Sequence, residues 1–332
     1  MILDAGQLRD LGMAVFVAAG VPEAAASSVV DALVLAELDG LPSHGFSRIP
    51  FYTDQALSGK VNAAAVPEVS TPAPASVLVD ARNGFAFPAI DAGFARAVPL
   101  AKRYGVAVLG VTRSHHCGVV GLYAERLAGE GLVSLIFSNT PAAMAPWGGS
   151  RASFGTNPLA FGCPREGRHP LVIDLSLSKV ARGKIMAAKQ RGESIPEGWA
   201  LDAQGRPATD PAVALGGTMI PVGDAKGSAL ALMVEILAAA LPGANYAFEA
   251  SSFFEAEGPA PGIGQSFILI DPAPLNPGFA PRLEALCGQM LAQEGVRLPG
   301  ERRFALRERN RQAGVDIPDA LYVDLRKRAG LA

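Results

Sequence analysis

Val106-Ala107-Val108-Leu109-Gly110-Val111 is an unbroken apolar run of strand length that empties into Arg113-Ser114-His115-His116-Cys117-Gly118, and from about Val119 to Gly129 the pattern turns helical. A strand without polar alternation is covered on both faces, as strands in α/β sheets are. The polar, glycine-bearing turn before the helix leaves unpaired N–H groups and a partial positive charge, the layout of an anion site. Working outward, Ser76 to Asp80, Val133 to Phe137, Leu159 to Phe161, Leu171 to Asp174 and Ser266 to Ile270 read as further strands. Helices are predicted from Asp4 to Ala19, Pro22 to Gly40, Pro50 to Gly59, Ala86 to Tyr104, Lys179 to Gln190, 228 to 241, Pro281 to Gln293 and in the charged C-terminus. Residues 192–211 read as irregular. The apolar run Ala229 to Leu241 is interrupted by Glu235. It is shorter than the roughly 20 residues that span a bilayer and reads as a buried helix. The fold class is α/β.

The chain has 332 residues. Single cores stop growing at roughly 250 to 300 residues, so two or three domains are expected. A net charge of −2 and 18% charged residues provide no broad basic surface, and nucleic acid is not an expected partner. Cys117, Cys163 and Cys287 are odd in number and widely spaced, which argues for a reducing, cytoplasmic setting rather than a disulfide framework. Met1-Ile2-Leu3-Asp4-Ala5-Gly6 lacks the basic residues of a signal peptide, and no membrane association is expected.

Chemistry concentrates in Leu41-Pro42-Ser43-His44-Gly45-Phe46-Ser47-Arg48, directly after a helix that ends at Gly40. Histidine exchanges a proton near neutral pH, serine can orient it, and arginine can grip a carboxylate through two parallel hydrogen bonds. The same residues also suit a helix cap at Ser43, an exposed His44 and a surface ion pair at Arg48. Beyond His116 with Gly118, Lys226 with Gly227 and Arg302-Arg303 after Gly300 repeat the offer of a phosphate site at a helix start. Three such offers point to a phosphate-bearing cofactor. No GxGxxG follows a strand, no GxxxxGK[ST] occurs, and GxSxG is absent. A conventional Rossmann domain and a P-loop are therefore disfavoured. Nor does any HExxH or carboxylate cluster support a metal, and none is expected.

In order along nearly the whole chain, Ser43-His44-Gly45 with Arg48 and Pro50-Phe51-Tyr52, His116-Cys117-Gly118, Pro146-Trp147-Gly148-Gly149, Phe154-Gly155-Thr156-Asn157-Pro158, Arg182-Gly183-Lys184 and Lys226-Gly227 resemble the malate/L-lactate dehydrogenase 2 family. The resemblance implies homodimers with a non-Rossmann nicotinamide-binding sheet domain and a largely helical domain from both chain ends. The expected division is residues 1–60 with 281–332, then 61–118, then 119–280. Asp174 to Lys184, Pro221 to Gly227 and Ala250-Ser251-Ser252-Phe253-Phe254 look most like the Δ1-piperideine-2-carboxylate/Δ1-pyrroline-2-carboxylate reductases. By that resemblance His44 is the proton donor with Ser43 and Lys184 as relay partners, and Arg48, Thr156, Arg182 and Gly183 meet the substrate. His116, Cys117, Gly118, Val119 and Val120, Asp174, Leu175 and Ser176, Lys226, and Gly300, Glu301, Arg302 and Arg303 would meet NADPH, with NADH the alternative. The expected reaction is NADPH-dependent reduction of cyclic imine 2-carboxylates to L-pipecolate or L-proline. The alternative is a 2-hydroxy acid dehydrogenase acting on malate, lactate or ureidoglycolate-like compounds, because either substrate needs a clamp and an acid.

Overall fold

The structure is a computed structural model that describes residues 1–331. The chain runs β1 (Ile2–Leu3), α1 (Ala5–Ala18), α2 (Glu23–Leu38), α3 (Ile49–Leu57), β2 (Glu68–Ala73), β3 (Ser76–Asp80), α4 (Ala86–Tyr104), β4 (Val106–Ser114), α5 (Val120–Gly129) and β5 (Val133–Ser138). It continues through β6 (Leu159–Cys163), β7 (Leu171–Leu175), α6 (Arg182–Arg191), β8 (Ala200–Leu201), β9 (Pro207–Ala208), α7 (Pro211–Leu215), β10 (Thr218–Met219) and α8 (Ala225–Glu235). Last come β11 (Ile263–Ile270), α9 (Phe279–Leu291), α10 (Glu301–Ala313), β12 (Val315–Asp316) and α11 (Asp319–Arg328).

Seven strands form one sheet in the order β2-β3-β4-β11-β5-β6-β7. Only β3 and β4 pair in parallel, and α4 is the crossover between them. Strand β11 inserts between β4 and β5, pairing antiparallel with both, so the sheet runs across the division expected at 118/119. Side chains alternate between the two faces of each strand. Ile136 therefore joins the core built with Leu8, Phe16, Leu33, Ile90 and Leu127 of the helices, while its neighbour Phe137 joins a second core with Ile185, Ala214 and Val234. The chain ends pack together: β1 pairs with β12, and Asn310 of α10 donates to the Leu38 carbonyl at the end of α2.

Several segments differ from the sequence expectations. Residues 192–211 are not wholly irregular, since β8 and β9 lie there and join β10 in a three-stranded sheet. The proline and threonine stretch before Ser76 holds the edge strand β2, exposed along its length, where a missing N–H is tolerated. The charged C-terminus is two helices separated by β12. The helix expected over 228–241 ends at Glu235 and passes into a π-helical turn over Ile236–Ala240. It is not buried all round. Val234, Ala238 and Ala239 lie in the core, but Leu230, Leu232, Met233, Ile236 and Leu241 are 39–61% exposed. Leucine on both sides of a helix reads as full burial in sequence, and only one side is covered here.

Candidate active site

The loop after α2 is two short 3₁₀ turns, Pro42–His44 and Phe46–Arg48, hinged at Gly45. A Cβ at Gly45 would lie 2.4 Å from Oε1 of Glu37, so only glycine lets the loop settle on that buried carboxylate. The same oxygen accepts the Phe46 N–H at 2.5 Å. Burial raises the pKa of Glu37, and the Phe46 bond opposes that rise. Ser43 serves both functional side chains at once. Its Oγ bonds Nδ1 of His44 at 3.0 Å, and its carbonyl accepts Nε–H of Arg48 at 2.6 Å. His44 is thereby left with Nε2 as its free reacting atom. Nη1 of Arg48 is buried and has no acceptor among the described residues. An unmet buried donor costs about 1 to 3 kcal/mol, more when charged, which an incoming anion would offset.

Two more histidines pack behind the loop. Nδ1 of His116 bonds the Tyr52 hydroxyl at 2.5 Å, and its ring centroid lies 5.5 Å from that of His44. Nε2 of His115 bonds Oε1 of Gln55 at 2.7 Å. Burial, and next the Arg48 charge, lower the pKa of His44 to about 4. Burial, then Lys60 and Arg48, push His115 to about 3, and burial also holds His116 well below its usual value. All three rings are neutral at pH 7. Burial lifts the Cys117 thiol to about 11, so it is no nucleophile.

The helix starts predicted as phosphate sites divide. At α5 the Gly121 N–H is already taken by Oδ2 of Asp174 at 2.8 Å. Cys117, Val119 and Val120 turn their side chains into the core, which leaves only backbone to meet a ligand. At α8 the glycine is explained by packing: a Cβ at Gly227 would come within 1.8 Å of the Val222 carbonyl. Lys226 is exposed, with no partner among the described residues. At α10, Arg303 is held by Asp39 at 3.3 Å and Glu125 at 3.0 Å, beside Arg307 bonded to the same two acids. Glu301 bonds the Leu298 N–H through Oε2. Arg302 alone is exposed and unpaired among the described residues, and Gly300 before it approaches the Val172 carbonyl of β7. The start of α10 thus lies against β7, with Asp174 to Ser176 exposed at and just after the strand's end and Arg302 an unpaired cation on the helix.

Thr156 donates its backbone N–H to Oγ1 of Thr140. Nη2 of Arg182 lies 3.4 Å from the Leu215 carbonyl, while Gly183 and Lys184 are exposed on the first turn of α6. No hydrogen bond or ion pair among the described residues joins these to Ser43 or His44. Phe253 and Phe254 enter the site unforeseen: the Phe254 ring lies 4.8 Å from Cζ of Arg48, and Phe253 lies 5.1 Å from His116. Their sequence signal was the stretch Ala250-Ser251-Ser252-Phe253-Phe254, which carried the resemblance without a role for either ring. Among the described residues no cluster of three metal-ligating side chains occurs, and no helix is long and apolar enough to cross a membrane.

A family model described as malate/L-lactate dehydrogenase matches residues 3–326. The chain is 56% identical over 323 residues to the (2R)-3-sulfolactate dehydrogenase (NADP(+)) of Chromohalobacter salexigens, covering 97% of this chain and 96% of that one. It superposes on the Δ1-piperideine-2-carboxylate reductase of Pseudomonas syringae pathovar tomato with a TM-score of 0.94 at 38% identity, covering 99% of each chain. The sulfolactate dehydrogenase of Methanocaldococcus jannaschii gives a TM-score of 0.92 at 30% identity, over 99% of this chain and 97% of that one.

Proposed function

The chain belongs to the malate/L-lactate dehydrogenase family, an oxidoreductase family, and from that premise we propose that it oxidises a short 2-hydroxy acid bearing a second acid group, of the 3-sulfolactate class, with NADP+, and runs the reverse reduction. The observation that carries the acid chemistry is the unpaired, buried Nη1 of Arg48 beside a His44 whose Nδ1 is already held, so that a carboxylate and a neighbouring hydroxyl or imine nitrogen have one place each to go, and the 56%-identical sulfolactate relative favours the hydroxyl. The order of the two sequence readings is thereby reversed, since the sulfolactate relative stands at 56% identity and a pyrroline/piperideine-carboxylate reductase of Pseudomonas syringae at 39%.

Arg48 binds the carboxylate by its guanidinium edge and fixes which face of the adjacent carbon is presented. When the C–H bond of that carbon breaks with its electron pair and the C=O bond forms, the hydroxyl proton passes to Nε2 of His44. His44 is neutral above about pH 4 and so is ready as a base. In the reverse direction it must arrive protonated, and a dianionic substrate beside it raises its pKa toward that state. Arg182 and Lys184, on the first turn of α6, are the cations we assign to the second acid group. The chemistry a bound nicotinamide supplies is to take or give the hydride. Asp174 to Ser176 and Gly300 to Arg302 suit such a cofactor because α10 starts against β7 and the Arg302 charge on it is unpaired, and we assign Arg302 to the 2′-phosphate of NADP. The half-covered apolar face of α8 is assigned to a second copy of the chain, and sedimentation of wild type against Leu232→Asp with Ile236→Asp tests it.

The assay runs (R)-3-sulfolactate, malate and lactate with NADP+ and NAD+, and Δ1-pyrroline-2-carboxylate and Δ1-piperideine-2-carboxylate with NADPH and NADH. The highest kcat/KM is expected for sulfolactate with NADP+. Turnover confined to the cyclic imines would overturn this reading in favour of the second, which the 38%-identical reductase structure supports.

A further inference from the structure

Residues 251–257 form a turn without a regular element of its own, and it carries the Phe253 and Phe254 rings into the site. Cζ of Arg48 lies over the Phe254 ring, 4.8 Å from its centroid, and that ring meets Phe51 edge-on at 5.3 Å. What fixes the turn is α3 and the residues just after it. Lys60, only 4% exposed, donates from Nζ to three carbonyls of the turn: Ser252 at 2.7 Å, Glu255 at 2.9 Å and Glu257 at 3.2 Å. That uses all three protons of the ammonium. Oγ of Ser58 donates to the Ala256 carbonyl at 2.6 Å, and Nε2 of Gln55 to the Phe253 carbonyl at 2.8 Å. No carboxylate among the described residues lies within ion-pair distance of Lys60. A buried charge is costly unless every donor is met, so the three carbonyls, with the more distant Glu255 charge, keep this one in place and its burial is tied to the shape of the turn.

We propose that Lys60 is a positioning residue for the acid clamp: by fixing the 251–257 turn it keeps the Phe254 ring against the Arg48 guanidinium, which holds the clamp in place for the substrate. The inference rests on Arg48 as carboxylate anchor. A cation over a ring face is held by the quadrupole attraction, and a guanidinium so held keeps its N–H groups in a fixed direction. Lys60 itself touches neither reacting carbon nor proton, so its loss should be read in substrate affinity rather than in turnover.

The test compares wild type, Lys60→Met, Phe254→Ala, Phe254→Trp and the double variant Lys60→Met/Phe254→Ala, each shown folded by its circular dichroism and its NADPH affinity. Oxalate is titrated calorimetrically into each NADPH-loaded protein, and KM and kcat are measured for the acid that is turned over. Lys60→Met and Phe254→Ala should each weaken oxalate and raise KM about 5- to 30-fold, the range of a cation–π contact of about 1 to 2 kcal/mol. Turnover at saturation in Lys60→Met should stay within about threefold. Phe254→Trp should recover most of the affinity, and the double variant should be no weaker than the poorer single one, because both act through one contact. Fully additive losses, or equal oxalate affinity in wild type and both single variants, would overturn the role of Lys60 while leaving the Arg48 anchor in place. Wild type that binds no oxalate would overturn the anchor and the inference together. If Lys60→Met does not fold, unchanged affinity in Phe254→Ala overturns the proposal and its loss with rescue by tryptophan upholds it.

Discussion

Replacing His44 by asparagine keeps a polar group beside Ser43 and removes the proton acceptor. A positioned acid or base contributes about 10² to 10⁴ in rate. At 1.36 kcal/mol per decade that is about 3 to 5 kcal/mol of barrier, to be seen as a matching fall in kcat and kcat/KM with little change in NADPH affinity. The pH profile makes the test sharper. Burial and the Arg48 charge hold the free-enzyme pKa of His44 at about 4, so kcat/KM for oxidation should rise through that value and be flat above it. Reduction needs the protonated ring and should fall about tenfold per pH unit above the same pKa. The assay follows nicotinamide absorbance in both directions across that range. His44→Asn should lose the sloping reduction limb along with the rate. A variant within about threefold of wild type, or one that keeps the slope, would refute His44 as the group that exchanges the proton.

Arg48→Gln removes both the clamp and the second cause of the depressed His44 pKa, so KM for the acid should rise by about 10- to 100-fold and the acid limb of oxidation should move to higher pH. An unmoved limb would count against the pairing. Arg302→Ala should weaken NADPH about tenfold and leave NADH unchanged, measured by fluorescence titration, whereas equal losses for both cofactors would remove Arg302 from the 2′-phosphate. Arg307→Met leaves the fully buried Asp39 carboxylate with Arg303 alone, and the urea midpoint should report a loss of about 3 to 5 kcal/mol. A loss under about 1 kcal/mol would mean that the cluster is not a support. In acid, the unfolded chain takes up protons on His44 and His115 that the folded chain refuses, so their contribution to stability is full above about pH 6.5 and lost as pH falls toward about 4 for His44 and about 3 for His115. His115→Gln should flatten that fall by one proton in equilibrium unfolding measured against pH.

The strands and most helices were legible because periodicity is local, and so was the Ser43 to Arg48 loop, whose partners lie within a few residues of one another. What was not legible depends on contacts far along the chain. The turn that carries Phe254 is tied to Lys60 across 192 to 197 positions. Gly227 shows the same limit in another form, since glycine at a helix start serves a ligand or a close backbone equally well, and only the Val222 carbonyl decides between them. Arg302 and Arg303 look alike as a pair. One residue along a helix turns a side chain by about 100°, however, which sends Arg303 into the Asp39 and Glu125 cluster and leaves Arg302 outside it.

The same reasoning explains why the substrate class was the least readable part. An imine carboxylate and a 2-hydroxy acid present the same anion and the same adjacent carbon, and Arg48 and His44 serve either. Discrimination has to come from whatever meets the rest of the molecule: a second acid group needs a cation, and a five- or six-membered ring needs an apolar wall. Two elements of this chain can answer those needs, the exposed Lys184 on the first turn of α6 and the aromatic turn held by Lys60. Lys184→Ala and Phe254→Ala should therefore separate the two readings by which substrate each one harms. Selective loss with a sulfonated or dicarboxylic substrate in Lys184→Ala places the second anion at α6, and loss for every acid alike would put specificity elsewhere.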